Sequence, residues 1–326
     1  MLPHFRLGHP RTVEEAVAAL AEPGSGAAAL AGGSDLLEWM KAGLPAPGFL
    51  VCLDRIEALR GIRQEGRSLV IGATTRLAEL ATDERVRSAA PSLASAADSV
   101  GSPQIRNVGT LGGNLLQRPR CWYLRSNFPC LKNGGENCYA ITGQNQYHAI
   151  FGGGPSSIVH PSDCATALTA LGARVRVHGL KGAREIPIDK LYRLPSERLE
   201  VEHALEAGEL LTEIVLPRRH RRDHSAFLKV RDRAQFDFAV VSVACWLRLD
   251  GRLSQQARIC LGAVAPVPWR ARKAEEYLQK RLIDETSATE AARLALDGAE
   301  PLEHNSYKIP LARNLVRRAL LELVRA

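Results

Sequence analysis

Ala27-Ala28-Ala29-Leu30-Ala31-Gly32-Gly33-Ser34-Asp35-Leu36-Leu37 reads as a strand, a glycine turn and the start of a helix. The apolar run over 27–30 has strand length, Gly32-Gly33 ends it, and Ser34 or Asp35 stands where a helix over 36–42 needs its cap. A further strand follows over 49–53. Two strands joined through a helix pair in parallel, because the crossover carries the chain back to the starting end. Upstream, Thr12 and Glu15 have capping-box spacing ahead of Val13, Ala16, Val17 and Leu20 at helical spacing. Downstream come a strand over 68–72, helical pattern near 77–81 and 92–99, a helix over 164–171, and strands over 173–177 and 210–216, the last closed by Pro217.

Arg218-Arg219-His220-Arg221-Arg222 is read as a solvated loop and marks the domain boundary. Beyond it, 227–230, 240–249 and 258–264 read as strands, with Asp250-Gly251 as a hairpin signal. Helices follow near 270–280, 286–297 and 311–325, the last with Leu311, Leu315, Ala319 and Leu323 on one face. The fold class is therefore α+β, ending in an antiparallel sheet with helices on one side. Residues 1–217 form the first domain, with lobes of about 1–55 and 56–217, and 218–326 form the second.

A second glycine stretch, Asn107-Val108-Gly109-Thr110-Leu111-Gly112-Gly113-Asn114, runs almost directly into Cys121. Glycine lets backbone N–H groups approach a phosphate, and a turn before a helix adds the positive end of its dipole. Neither stretch is the spaced glycine pattern of a Rossmann unit or a Walker loop. Together they can clamp the two phosphates of one pyrophosphate from opposite sides.

Cys121, Cys130 and Cys138 lie nine and eight residues apart in a segment, 118–160, rich in Gly, Asn and Pro and without sustained period. Structural free cysteines belong in regular elements, as Cys52, Cys245 and Cys260 do in this reading. Three thiols in one irregular segment point instead to zinc or an iron–sulfur cluster, although neither zinc-ribbon nor ferredoxin spacing is present. A phosphate-bearing cofactor beside a metal centre is an arrangement for passing electrons. His160-Pro161-Ser162-Asp163 precedes a helix, where Asp163 or Ser162 serves as N-cap, and Lys229-Val230-Arg231-Asp232-Arg233 ends a strand with charge.

The totals exclude other classes. The sequence has 326 residues, 45% hydrophobic and 24% charged, as in ordinary globular chains. Its net charge of +8 is scattered, without the concentrated basic face and stacking aromatics of a nucleic-acid binder. No apolar run reaches membrane-spanning length, and the amino terminus lacks a signal-peptide pattern. Seven cysteines in a chain this long argue against disulfide stapling.

The glycine stretches, Arg106–Leu115 as a unit, His160-Pro161-Ser162-Asp163, and Lys229-Val230-Arg231 with Phe238-Ala239-Val240-Val241-Ser242-Val243-Ala244 occur in an order that resembles the FAD-binding medium subunits of the molybdenum hydroxylases. The resemblance implies a two-part, PCMH-like FAD-binding domain, with a small βαβ-type lobe and a larger mixed-sheet lobe, followed by a C-terminal flavoprotein domain. It implies that Ala28, Ala29, Leu30, Ala31, Gly32, Gly33, Ser34, Asp35, Leu36 and Leu37, with Thr110, Gly113 and Asn114, hold FAD. Asp163 would contact its sugar side, and Lys229 would approach the flavin. Within the family the cysteine loop is similar to those of aldehyde oxidoreductase and 4-hydroxybenzoyl-CoA reductase flavoproteins, which carry a [4Fe–4S] cluster. Cys121, Cys130 and Cys138 would then ligate iron. The fourth ligand stays open between Ser156, Cys164 and an incomplete site, and Tyr147 and His148 stand where a reductase-type cysteine would be sought.

The implied function is electron transfer in a heterotrimeric aldehyde oxidoreductase. A large subunit would hold the molybdenum cofactor, a small one the [2Fe–2S] centres, and an external acceptor would take the electrons. The reductase, with electrons running the other way, is the alternative, and a metal-binding nucleic-acid regulator is the alternative from another class. The implied location is cytoplasmic, or periplasmic by export with a partner.

Overall fold

The computed structural model describes residues 2–325; Met1 and Ala326, at the outer ends of the two assigned domains, lie outside the described residues. The first lobe contains β1 (Arg6–Gly8), α1 (Val13–Leu20), β2 (Ala27–Leu30), α2 (Leu36–Lys41) and β3 (Phe49–Cys52). Thr12 caps α1, its hydroxyl accepting from the Glu15 N–H, while the Glu15 carboxylate accepts from the Arg11 N–H at 2.7 Å. The sheet order is β1-β3-β2, and both pairs are parallel, as the strand–helix–strand reading requires.

The second lobe begins with β4 (Ile62–Glu65) and β5 (Ser68–Gly72). Helices α3 (Leu77–Thr82), α4 (Glu84–Ala89), α5 (Pro91–Asp98), α6 (Pro103–Val108), α7 (Leu111–Leu115), α8 (Trp122–Arg125) and α9 (Asp163–Leu171) follow, then β6 (Arg174–Gly179), β7 (Gly182–Pro187) and β8 (Leu210–Leu216). Its antiparallel sheet runs β4-β5-β8-β6-β7. Alternation fixes the register. Val175 and Val177 face the core, while Arg176 on the outer face meets Glu65, Glu185 and Glu213. The edge strands β4 and β7 escape a periodicity reading because they are mostly exposed and polar.

The remaining strands are β9 (Asp223–Val230), β10 (Val241–Asp250), β11 (Leu253–Gly262), β12 (Trp269–Arg270) and β13 (Arg281–Leu282), with α10 (Arg272–Leu278), α11 (Glu285–Ala295) and α12 (Lys308–Leu323). The Asp250-Gly251 signal is the β10–β11 turn, where Gly251 supplies a φ of 58°. The strand read over 258–264 starts earlier, at Leu253, because its first half is polar and lacks the apolar pattern. Val243, Cys245 and Leu247 of β10 pack under α10–α12, with Leu315, Ala319 and Leu323 of α12 in the same core. Ala244 and Trp246, on the opposite face, join the core of the second lobe with Leu168 of α9 and Leu93 of α5. The domain's own helices thus cover one face and those of the preceding lobe the other, which is why 241–247 is buried without interruption and apolar but for Ser242.

Lys308 anchors the end of the cysteine segment. It is fully buried and donates to the carbonyls of Tyr147 at 2.8 Å, His148 at 3.0 Å and Ala263 at 2.8 Å. Burial draws its ammonium down to about 7. The Arg-rich stretch 218–222 is an exposed connection between β8 and β9.

Candidate functional site

The two glycine stretches meet backbone to backbone. A Cβ on Gly32 would lie 1.9 Å from the Val108 carbonyl oxygen, and one on Gly112 would lie 2.9 Å from the Ala73 carbonyl oxygen. Only residues without side chains permit this approach. The second stretch is more regular than a turn. Thr110 caps α7, its hydroxyl accepting from the Gly113 N–H at 3.2 Å.

Around this contact lies a cavity of about 670 Å³, within the size range of cofactor pockets. Ala28 through Leu36, Thr110, Gly113, Asn114, Asp163 and Lys229 all line it. Leu37 does not, because its side chain turns back to pack over Gly33. The walls also include Trp39, Arg118, Arg120, Arg233, Phe236 and Phe238, which sequence reasoning missed. No motif links these distant positions; the signal was the unexplained aromatic and arginine content of 231–238 and 118–120.

The structure decides between the cap candidates read in the sequence. Asp35 makes no side-chain cap on α2. Its carboxylate accepts instead from the Arg118 N–H and the Arg125 guanidinium, both at 2.8 Å, and pairs with Arg120 at 2.9 Å. Ser162, not Asp163, caps α9, its hydroxyl accepting from the Ala165 N–H at 2.9 Å and donating to Asn114 at 2.6 Å. Asp163 is thereby free to pair with Lys229 at 2.6 Å, in a buried bridge between the two domains. Burial pushes the Asp163 carboxyl upward, and the Lys229 ammonium and the Ser99 hydroxyl oppose that push.

The cavity fits a dinucleotide with two phosphates. It offers apposed glycine backbones, the α7 amino end and a desolvated Arg120 whose buried Nε has no acceptor among the described residues. Burial lowers the Arg120 pKa, and Asp35 restrains that fall.

The irregular cysteine segment is folded, not loose. Tyr123, Phe128 and Tyr139 pack edge to face or stacked around α8. Cys121, Cys130 and Cys138 line one narrow cavity together with Ser156. Burial pushes the Cys121 thiol up to about 11, with the other two thiols adding to the rise. His148 Nε2 lies 3.3 Å from the Cys121 sulfur. Cys164 is excluded from this centre: it is fully buried on α9 among Leu168 and Leu171 in the core of the second lobe, with its thiol pushed far up by burial. Among the described residues, the one set of His, Cys and acidic donors all within 4.8 Å of one another is His9, Cys52 and Asp54, apart from this segment. The three sulfur atoms are therefore not all within 4.8 Å of one another. Trp39 lines the large cavity and also packs with Leu124 and Cys130 beside the small one.

No helix among the described residues is long and apolar enough to cross a membrane. Residues 3–219 match the family model of the FAD-binding domain in molybdopterin dehydrogenase, and residues 225–323 match the C-terminal domain of the CO dehydrogenase flavoprotein. The chain is 36% identical to the aldehyde oxidoreductase FAD-binding subunit PaoB of Escherichia coli (strain K12), over 91% of each chain. It is 31% identical to the carbon monoxide dehydrogenase medium chain of Hydrogenophaga pseudoflava, over 98% of this chain and 96% of the other. The solved carbon monoxide dehydrogenase from Hydrogenophaga pseudoflava superposes with a TM-score of 0.79 at 30% identity, over 99% of this chain and 98% of that one. With its glycine-lined cavity and both family models in place, the chain belongs to the FAD-binding medium subunits of the molybdenum hydroxylase family, and is an oxidoreductase subunit.

Proposed function

We propose that this chain is the electron-transferring flavoprotein of a heterotrimeric, molybdenum-containing aldehyde oxidoreductase, and that it carries a [4Fe–4S] cluster as well as FAD. The observation that carries the reading is the closeness of two built cavities. Arg118 and Arg120 line the larger, the next residue, Cys121, lines the smaller, and Trp39 borders both. The similarity to an aldehyde oxidoreductase subunit supports the substrate class.

FAD supplies the exchange between paired and single electrons, and the cluster supplies one-electron steps. This chain's residues position the two groups. Gly32, Gly33, Thr110, Gly113 and Asn114 would hold the pyrophosphate, and Asp163 and Lys229 would fix the sugar side and the flavin. Cys121, Cys130 and Cys138 would ligate iron, which would supply the positive partner that the desolvated Cys121 thiol lacks. The partners are a large subunit with the molybdenum cofactor, a small [2Fe–2S] subunit and an external acceptor, in the cytoplasm or exported together.

The test is anaerobic addition of aldehyde to the reconstituted complex while the flavin absorbance is followed. Bleaching is the expected result. Reduction of the iron–sulfur centres with a flavin that stays oxidised would refute the assignment.

A further inference from the structure

We infer that Ser156 is the fourth ligand of the cluster, so that three thiolates and one alkoxide hold the iron; the inference rests on the cluster reading proposed above. The argument is one of position and elimination. The narrow cavity lined by the three cysteines is closed by the segment before His160, which presents Ser156 and Ile158. That segment is fixed: the Ser157 carbonyl accepts from the Ala149 N–H at 3.0 Å, and the His160 N–H donates to the Ala265 carbonyl at 2.8 Å.

Ser156 is 4% exposed and stands on the wall of the cavity that the three cysteines line. Tyr139, also on the wall, is held by stacking on Tyr123 and edge to face against Phe128, and four other donors are engaged elsewhere. Cys164 lies in the α9 core. His148 does not line the cavity, and its Nε2 is directed to the Cys121 sulfur. Tyr123 directs its hydroxyl at Gly143, where a Cβ would lie 2.3 Å from it. The one charged side chain on the wall, Lys132, is a cation paired with Glu202 at 2.9 Å.

Ligation breaks the Ser156 O–H bond and forms an iron–oxygen bond; the proton leaves to water, and the iron keeps its oxidation state. An alkoxide is harder than a thiolate, so it matches iron less well and favours the oxidised level. The iron bound to Ser156 is then the one most easily lost.

The experiment compares the anaerobically purified complex with its Ser156→Ala and Ser156→Cys variants by iron, sulfide and FAD analysis, EPR and redox titration. The wild type should hold about four cluster irons per FAD beyond those of the small subunit, and Ser156→Ala about three, with the EPR signal of a three-iron cluster and unchanged FAD content. Ser156→Cys should keep the fourth iron, resist its loss under ferricyanide and titrate at a higher potential. A four-iron cluster in Ser156→Ala with wild-type EPR and potential would overturn the assignment. Iron in Ser156→Cys but none in the wild type would overturn serine ligation while sparing the cluster site. Absence of cluster iron from all three would remove the cluster reading itself.

Discussion

Replacing Gly32 by alanine tests whether contact between the two glycine stretches builds the FAD cavity. The added Cβ would lie 1.9 Å from the Val108 carbonyl oxygen and 2.7 Å from its carbon. An ordinary carbon–oxygen contact needs about 3.3 Å, so the two backbones must part by about 1.4 Å. Both neighbours are main chain, and no side-chain rotation relieves the clash. Overpacking of this kind costs about 1–3 kcal/mol. If the strain is released by spreading the cavity, it appears in binding, and FAD affinity falls by about 5- to 150-fold. The assay is titration of the FAD-free protein, read by flavin fluorescence, with thermal unfolding measured in parallel. Gly48→Ala is the control, since a Cβ there meets nothing nearer than the Ser25 carbonyl oxygen at 3.8 Å. A Gly32→Ala protein with unchanged FAD affinity and unchanged Tm would show that this contact does not shape the site.

Two further perturbations probe what surrounds the site. Asp163→Asn removes the countercharge of Lys229 inside the buried interdomain bridge and should cost about 3–5 kcal/mol in denaturant unfolding; Asp163→Asn combined with Lys229→Met should recover much of that loss, and a double variant no better than the single one contradicts the pairing. His160 is buried against Tyr192, and burial pulls its pKa down to about 3. Between about pH 3 and 6.5 the unfolded chain therefore binds one more proton at this position than the folded one, so its contribution falls as the pH drops through that window, by at most about 1.4 kcal/mol per pH unit. His160→Gln should give a shallower acid limb in stability against pH, and parallel curves for the two proteins would contradict a neutral buried imidazole.

The legible parts of this chain were those in which local pattern and tertiary environment agree. The parallel unit of the first lobe follows from a strand, a glycine turn and a helix in sequence, and β10 from an apolar run buried on both faces. Polar edges were hidden, because β4, β7 and the first half of β11 carry solvent-facing side chains that resemble loop. At the site, glycine composition located the cavity floor, since only backbone can approach backbone there. The walls were not readable: Phe236, Phe238 and Arg233 arrive from the second domain, and nothing local records that meeting. The capping calculus also misled at Asp35, because an acidic residue before a helix serves equally well as an acceptor for arginines some 83 to 90 residues away.

That displaced role explains how the two cavities keep a fixed relation. Asp35 sits at the start of α2, next to the glycine turn, and its carboxylate holds Arg118, Arg120 and Arg125, which flank Cys121 on both sides. Arg118 and Arg125 stack on Trp39 at 4.5 and 4.9 Å, so the indole between the cavities is clamped by two residues that Asp35 also holds, Arg118 through its main-chain N–H and Arg125 through its guanidinium. A partly buried carboxylate bound by several charge-assisted hydrogen bonds is stiff, and a displacement of one arm must move the others. In the proposed assignment the same arginines would place positive charge between a pyrophosphate and a thiolate-bound cluster, two anions that would otherwise repel across low-dielectric protein. Asp35, one of the two residues read as a helix cap, is thus the joint between the two cavities, and in the proposed assignment it would keep the two groups in a fixed relation.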